Sequence, residues 1–252
     1  MHGSDMKTSS LSIKKAAALL AAALIACLSG AALRAQDSLE TTLKADFVNQ
    51  YVWRGQRLDG FGVQPALGVG WKGLSLTAYG HTGFAAVDNL LEIDLELAYS
   101  IGGFSIGITD YWTNHTGESP AYFCYRPAYT GHTFEANVGY DFGFLSLNWY
   151  TNFWGYDGDA LLEGGKRPYS SYVELAVPFN LASCDWEAAV GAVPFASDFY
   201  GNNGFSVVNL SLTASREIPI TDSFSLPVFA SGIANIPARQ AWFVVGITLQ
   251  AF

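Results

Sequence analysis

Charge is scarce in this chain. Of 252 residues, 13 are Lys or Arg and 22 are Asp or Glu, together 14%. The surface of a soluble domain alone is usually about 25–35% charged, so much of this exterior must face something other than water. Basic residues are the scarcer sign, and the net charge of −9 argues against nucleic acid as a partner. The four histidines are isolated and no cysteine pair has ligand spacing, so the sequence carries no metal or cofactor pattern. Beyond the N-terminal segment no stretch approaches 18 consecutive apolar residues, which excludes a transmembrane helix from the remainder. Yet half the residues are hydrophobic and the mean hydropathy is positive.

The apolar run that does occur is near the start. Lys7, Lys14 and Lys15 precede Ala16–Leu33, and Leu33-Arg34-Ala35 offers a small residue before a cut. Residues 1–35 therefore read as a cleaved secretory signal peptide, and 36–252 as the mature domain. A membrane-anchor helix is the bland alternative. Leu24-Ile25-Ala26-Cys27 also has the form of a lipidation box at Cys27. The leader has four basic residues against Asp5, so its removal leaves the mature chain at −12.

Past Asp37 the residues alternate with period two, the signature of strands with one apolar face. Leu91, Ile93, Leu95, Leu97 and Tyr99 oppose Glu92, Asp94, Glu96 and Ala98. The spacing predicts twelve strands, over 40–54, 61–71, 74–83, 90–101, 104–113, 132–142, 145–155, 169–179, 186–196, 205–216, 223–232 and 240–252. Each is near the ~9–11 residues that cross a bilayer as a tilted strand. Two-residue turns at Lys72-Gly73, Gly102-Gly103 and Gly143-Phe144 alternate with longer polar joins at 54–60, 84–89, 114–131, 156–168 and 197–204. Turn parity agrees, because the residues flanking each short turn all fall on apolar faces. The expected fold is all-β: a single transmembrane antiparallel up-and-down β-barrel of about 12 strands.

Alternation alone does not say which face points outward. Three features favour apolar-out. The polar face is mostly Ser, Thr, Asn, Gly and a few acids. Aromatics gather at strand ends, with Trp71, Phe104, Phe142, Phe179, Trp186 and Phe252 at the short-turn end. Tyr51, Trp53, Trp112, Phe134, Phe153 and Trp154 gather at the long-loop end, giving the two girdles of a membrane barrel. The third feature is the export signal. The expected location is the bacterial outer membrane, with lipid, lipopolysaccharide and the barrel-assembly machinery as partners. The last would engage the C-terminal strand. Phe252 ends that strand one register off the apolar face of Ala251, Leu249 and Ile247, unless a bulge near Gln250 restores it. Cys124 and Cys184 fall at opposite ends, about 30 Å apart, too far for a disulfide, which needs Cα atoms within about 7 Å.

Tyr51-Val52-Trp53-Arg54-Gly55-Gln56, followed by Gln64-Pro65-Ala66-Leu67, resembles a motif of the TorF-type putative porins of Gram-negative bacteria. The sharp part covers about 35 residues. The resemblance implies an outer-membrane barrel with a porin-like role and brings no catalytic residues.

The residues of that motif can also be read directly. Arg54 shares a face with Lys44, Asp46 and Gln50, so it is expected in the lumen, either in an ion pair at the strand end or as a selectivity residue. Glu92, Asp94 and Glu96 line one face, with Thr113, Tyr111 and Thr109 expected opposite and Tyr79 and His81 nearby. They form either a cation-attracting patch or ion pairs with Lys44 and Arg54. Glu135 and Glu174, with Asp141 and Glu187, extend the acidic lining. An enzyme would have to draw on His81, His115 or His132 with Asp110, Asp157 or Asp159, but no catalytic spacing stands out, and the expectation is that the protein is not an enzyme. Asp157-Gly158-Asp159 lacks the rest of a calcium loop and reads as a turn. The expected function is a passive channel for small cations or solutes. Two alternatives stand: a barrel plugged by Phe144, Tyr150, Tyr172 and Phe229 that works through its loops, and a soluble periplasmic barrel or lipoprotein that binds a small ligand.

Overall fold

The computed structural model describes residues 39–84, 90–114, 121–126, 130–155, 167–222 and 224–251. The proposed leader, His115, Asp157, Asp159 and Phe252 lie outside them. Twelve strands form one closed antiparallel barrel. They are β1 (Glu40–Val48), β4 (Gly62–Trp71), β5 (Leu74–Gly83), β6 (Leu91–Ile101), β7 (Phe104–Thr113), β8 (His132–Asp141), β9 (Ser146–Gly155), β10 (Ser171–Leu181), β11 (Cys184–Val193), β12 (Ser206–Thr221), β13 (Phe224–Asn235) and β14 (Gln240–Gln250). A separate two-stranded hairpin, β2 (Tyr51–Trp53) and β3 (Gln56–Asp59), lies between β1 and β4 in sequence. Closure comes from β1, which pairs with β4 on one side and with β14 on the other, from Val48↔Gly246 to Lys44↔Gln250. Every strand edge of the barrel is thereby used.

Short turns join the strands at one end. Trp71 pairs with Leu74 around Lys72-Gly73, and Ile101 with Phe104 around Gly102-Gly103. Both turns have positive φ at their two central residues, the twist that suits a tight hairpin. Ala182 and Ser183 make an equivalent turn, at φ 54° and 59°. Without Gly or Asn there the sequence does not announce so tight a turn, so β10 and β11 each run two residues further into the expected join than the 179 and 186 limits, to Leu181↔Cys184. The third expected Gly turn is present too, with Phe142 N donating to Leu145 O at 2.9 Å.

The side chains are distributed inside out. Leu67, Leu76, Leu97, Ile106, Val138 and Leu175 are exposed on the outer wall, whereas Gln64, Asp94, Thr109, Glu135, Asn152 and Asn209 are buried toward the lumen. Registers across the acidic strand are as expected: Glu92↔Thr113, Asp94↔Tyr111 and Glu96↔Thr109, with Tyr79↔Asp94 and His81↔Glu92 on the other side.

Four expectations need correction. The first strand does not run to residue 54. It ends at Val48, and residues 49–60 fold back into the barrel. Arg54 and Gly55, at φ 47° and 73°, form a tight turn with Trp53↔Gln56 closing it. Tyr51 and Trp53 therefore leave the aromatic girdle and enter the lumen. β12 does not stop at residue 216 but continues to Thr221, with Pro219 still paired to Ser225 and a register shift only beyond it; β11 pairs with β12 no further than Ser215, so this last stretch has a partner on the β13 side alone. Phe144 does not fill the lumen; it is 71% exposed at a turn beside Phe142. Cys124 and Cys184 are both free, as expected.

Candidate functional site: an occluded lumen

The β2–β3 hairpin is the main object in the lumen. Its tip carries Arg54, whose Nη1 and Nη2 donate to Glu135 Oε2 and Oε1 at 2.5 and 2.8 Å. Nη1 also donates to the Tyr200 hydroxyl at 2.8 Å. The guanidinium lies 4.1 Å from the Tyr150 ring centroid, 4.3 Å from Trp53 and 4.7 Å from Tyr172. Tyr111 donates its hydroxyl to Glu135 Oε1 at 3.0 Å. A planar fork on a carboxylate with ring faces around it is the arrangement that suits arginine and not lysine.

Three further contacts seat the hairpin. Asn235 Nδ2 donates to Gly55 O at 3.0 Å. At Gly55 an added Cβ would meet Val208 O at 1.9 Å, so the turn approaches the wall more closely than any side chain allows. Asp59 Oδ2 accepts from Leu90 N and His81 Nε2, both at 3.0 Å, and Oδ1 accepts from Gly60 N at 2.7 Å. Burial works against the charge on Asp59, but the Gly60 amide, His81 and the Leu90 amide outweigh it and hold the carboxyl below its ordinary value. Gln64 Nε2 can donate to His81 Nδ1 at 3.4 Å, which leaves Nε2–H to donate to Asp59, and Tyr51 stacks on the imidazole at 4.6 Å. Finally, the segment after β11 also dips inward. Tyr200 and Phe199 pack against Trp53, in a cluster with Tyr172, Val193 and Val208.

Below the hairpin, toward the short turns, the lumen is open. A cavity of 590 Å³ is lined by Glu96, Glu174, Asn137, Asn148, Ser105 and Tyr150, among others, with Arg54 in its ceiling.

The structure separates the ten residues expected to line the lumen into distinct settings. Lys44 pairs with Asp46 at 3.2 Å, and Asp46 accepts from Thr248 at 2.6 Å. Arg54, Glu135 and Tyr111 form the seat just described. Glu174 accepts from Tyr172 and Asn209. Tyr79, Glu92 and Asp94 sit beside Tyr51, whose hydroxyl bonds to Glu92. Glu92 and Asp94 do not pair with Lys44 or Arg54, contrary to one of the two expectations. Each keeps one buried oxygen without a hydrogen-bond partner, Oε2 and Oδ1. Glu96 faces the cavity. Sequence reasoning missed Asp59 as an anchor within the hairpin, and Tyr200 and Asn235 as its partners. The available signal was Arg54-Gly55, a two-residue turn flanked by Trp53 and Gln56.

A second ionisable pair lies on the outside. Asp110 pairs across the ladder with Leu95 and Phe134, so it shares the outward face. Asp110 Oδ1 lies 2.8 Å from His132 Nδ1, and His132 Nε2 donates to the Tyr122 carbonyl. Tyr125 stacks on the imidazole at 4.2 Å, and Tyr122 packs against Trp112. Residues 121–126 thus cover an ionisable pair on an otherwise apolar wall, where a charge left facing lipid would be destabilising.

No protein-family model and no curated protein matches the sequence. Solved structures do resemble the chain. The outer membrane phospholipase of Salmonella typhi, solved as a dimer with bound calcium, aligns at 9% identity over 91% of this chain and 97% of that one, with a TM-score of 0.41. Outer membrane phospholipase A from Escherichia coli aligns at 9% identity, covering 91% and 96%, with a TM-score of 0.41. Salmonella typhi OmpF in complex with daunomycin aligns at 9% identity, covering 85% and 98%, with a TM-score of 0.34.

Proposed function

We propose that this chain is a porin-like outer-membrane barrel of Gram-negative bacteria, of the TorF type, that passes small cations or solutes once its own hairpin is displaced. The carrying observation is how the lumen is closed. The stopper is chiefly the β2–β3 hairpin, Tyr51–Asp59, tethered to the wall strands at both of its ends above a polar cavity of 590 Å³. The β2–β3 hairpin is a sheet separate from the closed wall, so its displacement would break none of the wall's strand pairing. The apolar outer wall supports insertion in lipid, and the acids at Glu92, Asp94, Glu96 and Glu174 support a preference for cations. The histidine–carboxylate pairs are read as structural, because His132 spends both ring nitrogens on Asp110 and Tyr122, and His81 spends both on Asp59 and Gln64.

One observation favours the rival reading of a permanently plugged barrel: the bidentate, buried Arg54–Glu135 pair. Planar-bilayer conductance under a salt gradient separates the two. The wild type is expected to be mostly silent. A variant with residues 50–59 replaced by a short Gly-Ser link is expected to show defined steps with a cation-signed reversal potential. A folded deletion variant that conducts nothing would establish the plugged barrel, and an anion-signed potential would overturn the role of the acids.

A further inference from the structure

The seat that holds Arg54 is built by the barrel wall and not by the hairpin that carries the arginine. Glu135 supplies both oxygens of the fork, and Tyr111 fixes that carboxylate from the side. Tyr150 and Tyr172 supply two ring faces. These four residues come from β8, β7, β9 and β10, which are neighbours in the wall. The seat is also rigid. Glu135 and Tyr172 are each 1% exposed. The Tyr172 hydroxyl is tied to Glu174 and Asn209, and Gly191 leaves room for its ring where a Cβ would collide with it.

We infer that this wall cage is a binding site for guanidinium-bearing solutes, with Arg54 as its tethered occupant. The inference rests on the channel reading and gives that channel a ligand class. A guanidinium matches the site because its planar fork meets both carboxylate oxygens while its faces stack on the rings. An alkylammonium makes one point contact and fits less of it. Access comes from the short-turn end, through the cavity whose wall carries Glu96 and Glu174 and whose ceiling is the guanidinium of Arg54 itself. A solute that takes Glu135 removes the main anchor of the hairpin tip, so binding and opening are one event. In the wild type the tethered Arg54 competes at an effective concentration on the order of millimolar, which hides the site from weak ligands. Removing the arginine side chain uncovers it and leaves the Glu135 carboxylate without the cation that pairs with both its oxygens.

The test uses the full mature chain in detergent micelles, with methylguanidinium chloride as probe and methylammonium chloride at matched ionic strength as control. Arg54→Ala is expected to bind methylguanidinium saturably, by calorimetry and by a rise in unfolding temperature, at least about tenfold tighter than methylammonium. Arg54→Ala/Glu135→Gln is expected to lose that preference. If Arg54→Ala refolds poorly, its yield, read by heat-modifiable gel migration, is expected to rise with methylguanidinium, and the yield of the double variant is not. Equal response to the two cations, no saturable binding, or retention in the double variant overturns the inference. Bilayer recordings keep the two readings apart. Arg54→Ala channels that conduct but are not blocked by methylguanidinium sink the cage alone. Binding without any conductance sinks the channel alone.

Discussion

Removing Glu135 should unlatch the hairpin. In Glu135→Ala the guanidinium of Arg54 loses two charge-assisted hydrogen bonds, of 2.5 and 2.8 Å. Breaking a buried pair by removing one partner costs about 3–5 kcal/mol. Arg54 retains the Tyr200 hydroxyl and three ring faces, so the low end applies, about 3 kcal/mol. The loss falls on the seated state and not on the barrel, because an expelled Arg54 regains water. At about 1.4 kcal/mol per tenfold, the displaced population should rise by about a hundredfold. Two assays read it. Open probability in planar bilayers should rise by a comparable factor. Limited trypsin digestion should cut after Arg54, which is buried when seated. Glu187→Ala, an exposed carboxylate in the short-turn half of β11, is the control and should change neither. A folded Glu135→Ala barrel with wild-type open probability and no cleavage at Arg54 would refute the reasoning, since the hairpin would then be held by something other than this pair.

Other contacts make independent predictions. Gly55→Ala puts a Cβ 1.9 Å from Val208 O at a φ of 73°. It should unseat the hairpin with a cost on the order of 1–3 kcal/mol, giving the same trypsin cut while Glu135 is intact. The Asp59 carboxyl is depressed by the folded state, so its contribution is complete above the ordinary carboxylate range, near pH 4, and is lost as pH falls through its lower folded value. Trypsin is inactive there, so pepsin accessibility of residues 51–59 should rise on acidification, and Asp59→Asn should flatten that dependence. Asp110→Ala leaves His132 buried without its carboxylate and should lower stability by about 1–3 kcal/mol, measured as the urea midpoint in lipid vesicles, with channel behaviour unchanged.

Some of this was legible in advance, for definite reasons. Period-two alternation in β6 and the Gly turns after Trp71 and Ile101 set both the faces and the registers, because a two-residue turn leaves only one way to pair. That logic placed Glu92, Asp94 and Glu96 opposite Thr113, Tyr111 and Thr109. It set strand ends too short at Ala182-Ser183, where a tight turn is made without its usual residues, and in β12, which runs on from residue 216 to Thr221. It also failed at residue 49. Tyr51-Val52-Trp53 continues the alternation of the strand before it, and nothing local says that the chain has left the wall.

What the sequence determined by itself is therefore the barrel: its strand number from local periodicity and turn chemistry, and its apolar exterior and acid-bearing interior from the scarcity of charge, the make-up of the polar face and the aromatics at the strand ends. What only the tertiary structure decided is what fills it. Arg54 meets Glu135 across 81 residues, Tyr200 across 146 and, through Gly55, Asn235 across 180. Those partners are chosen by closure of the wall around the hairpin. A buried guanidinium accepts only the arrangement in which a carboxylate and ring faces converge on it, and that convergence exists only once the ring of strands is complete.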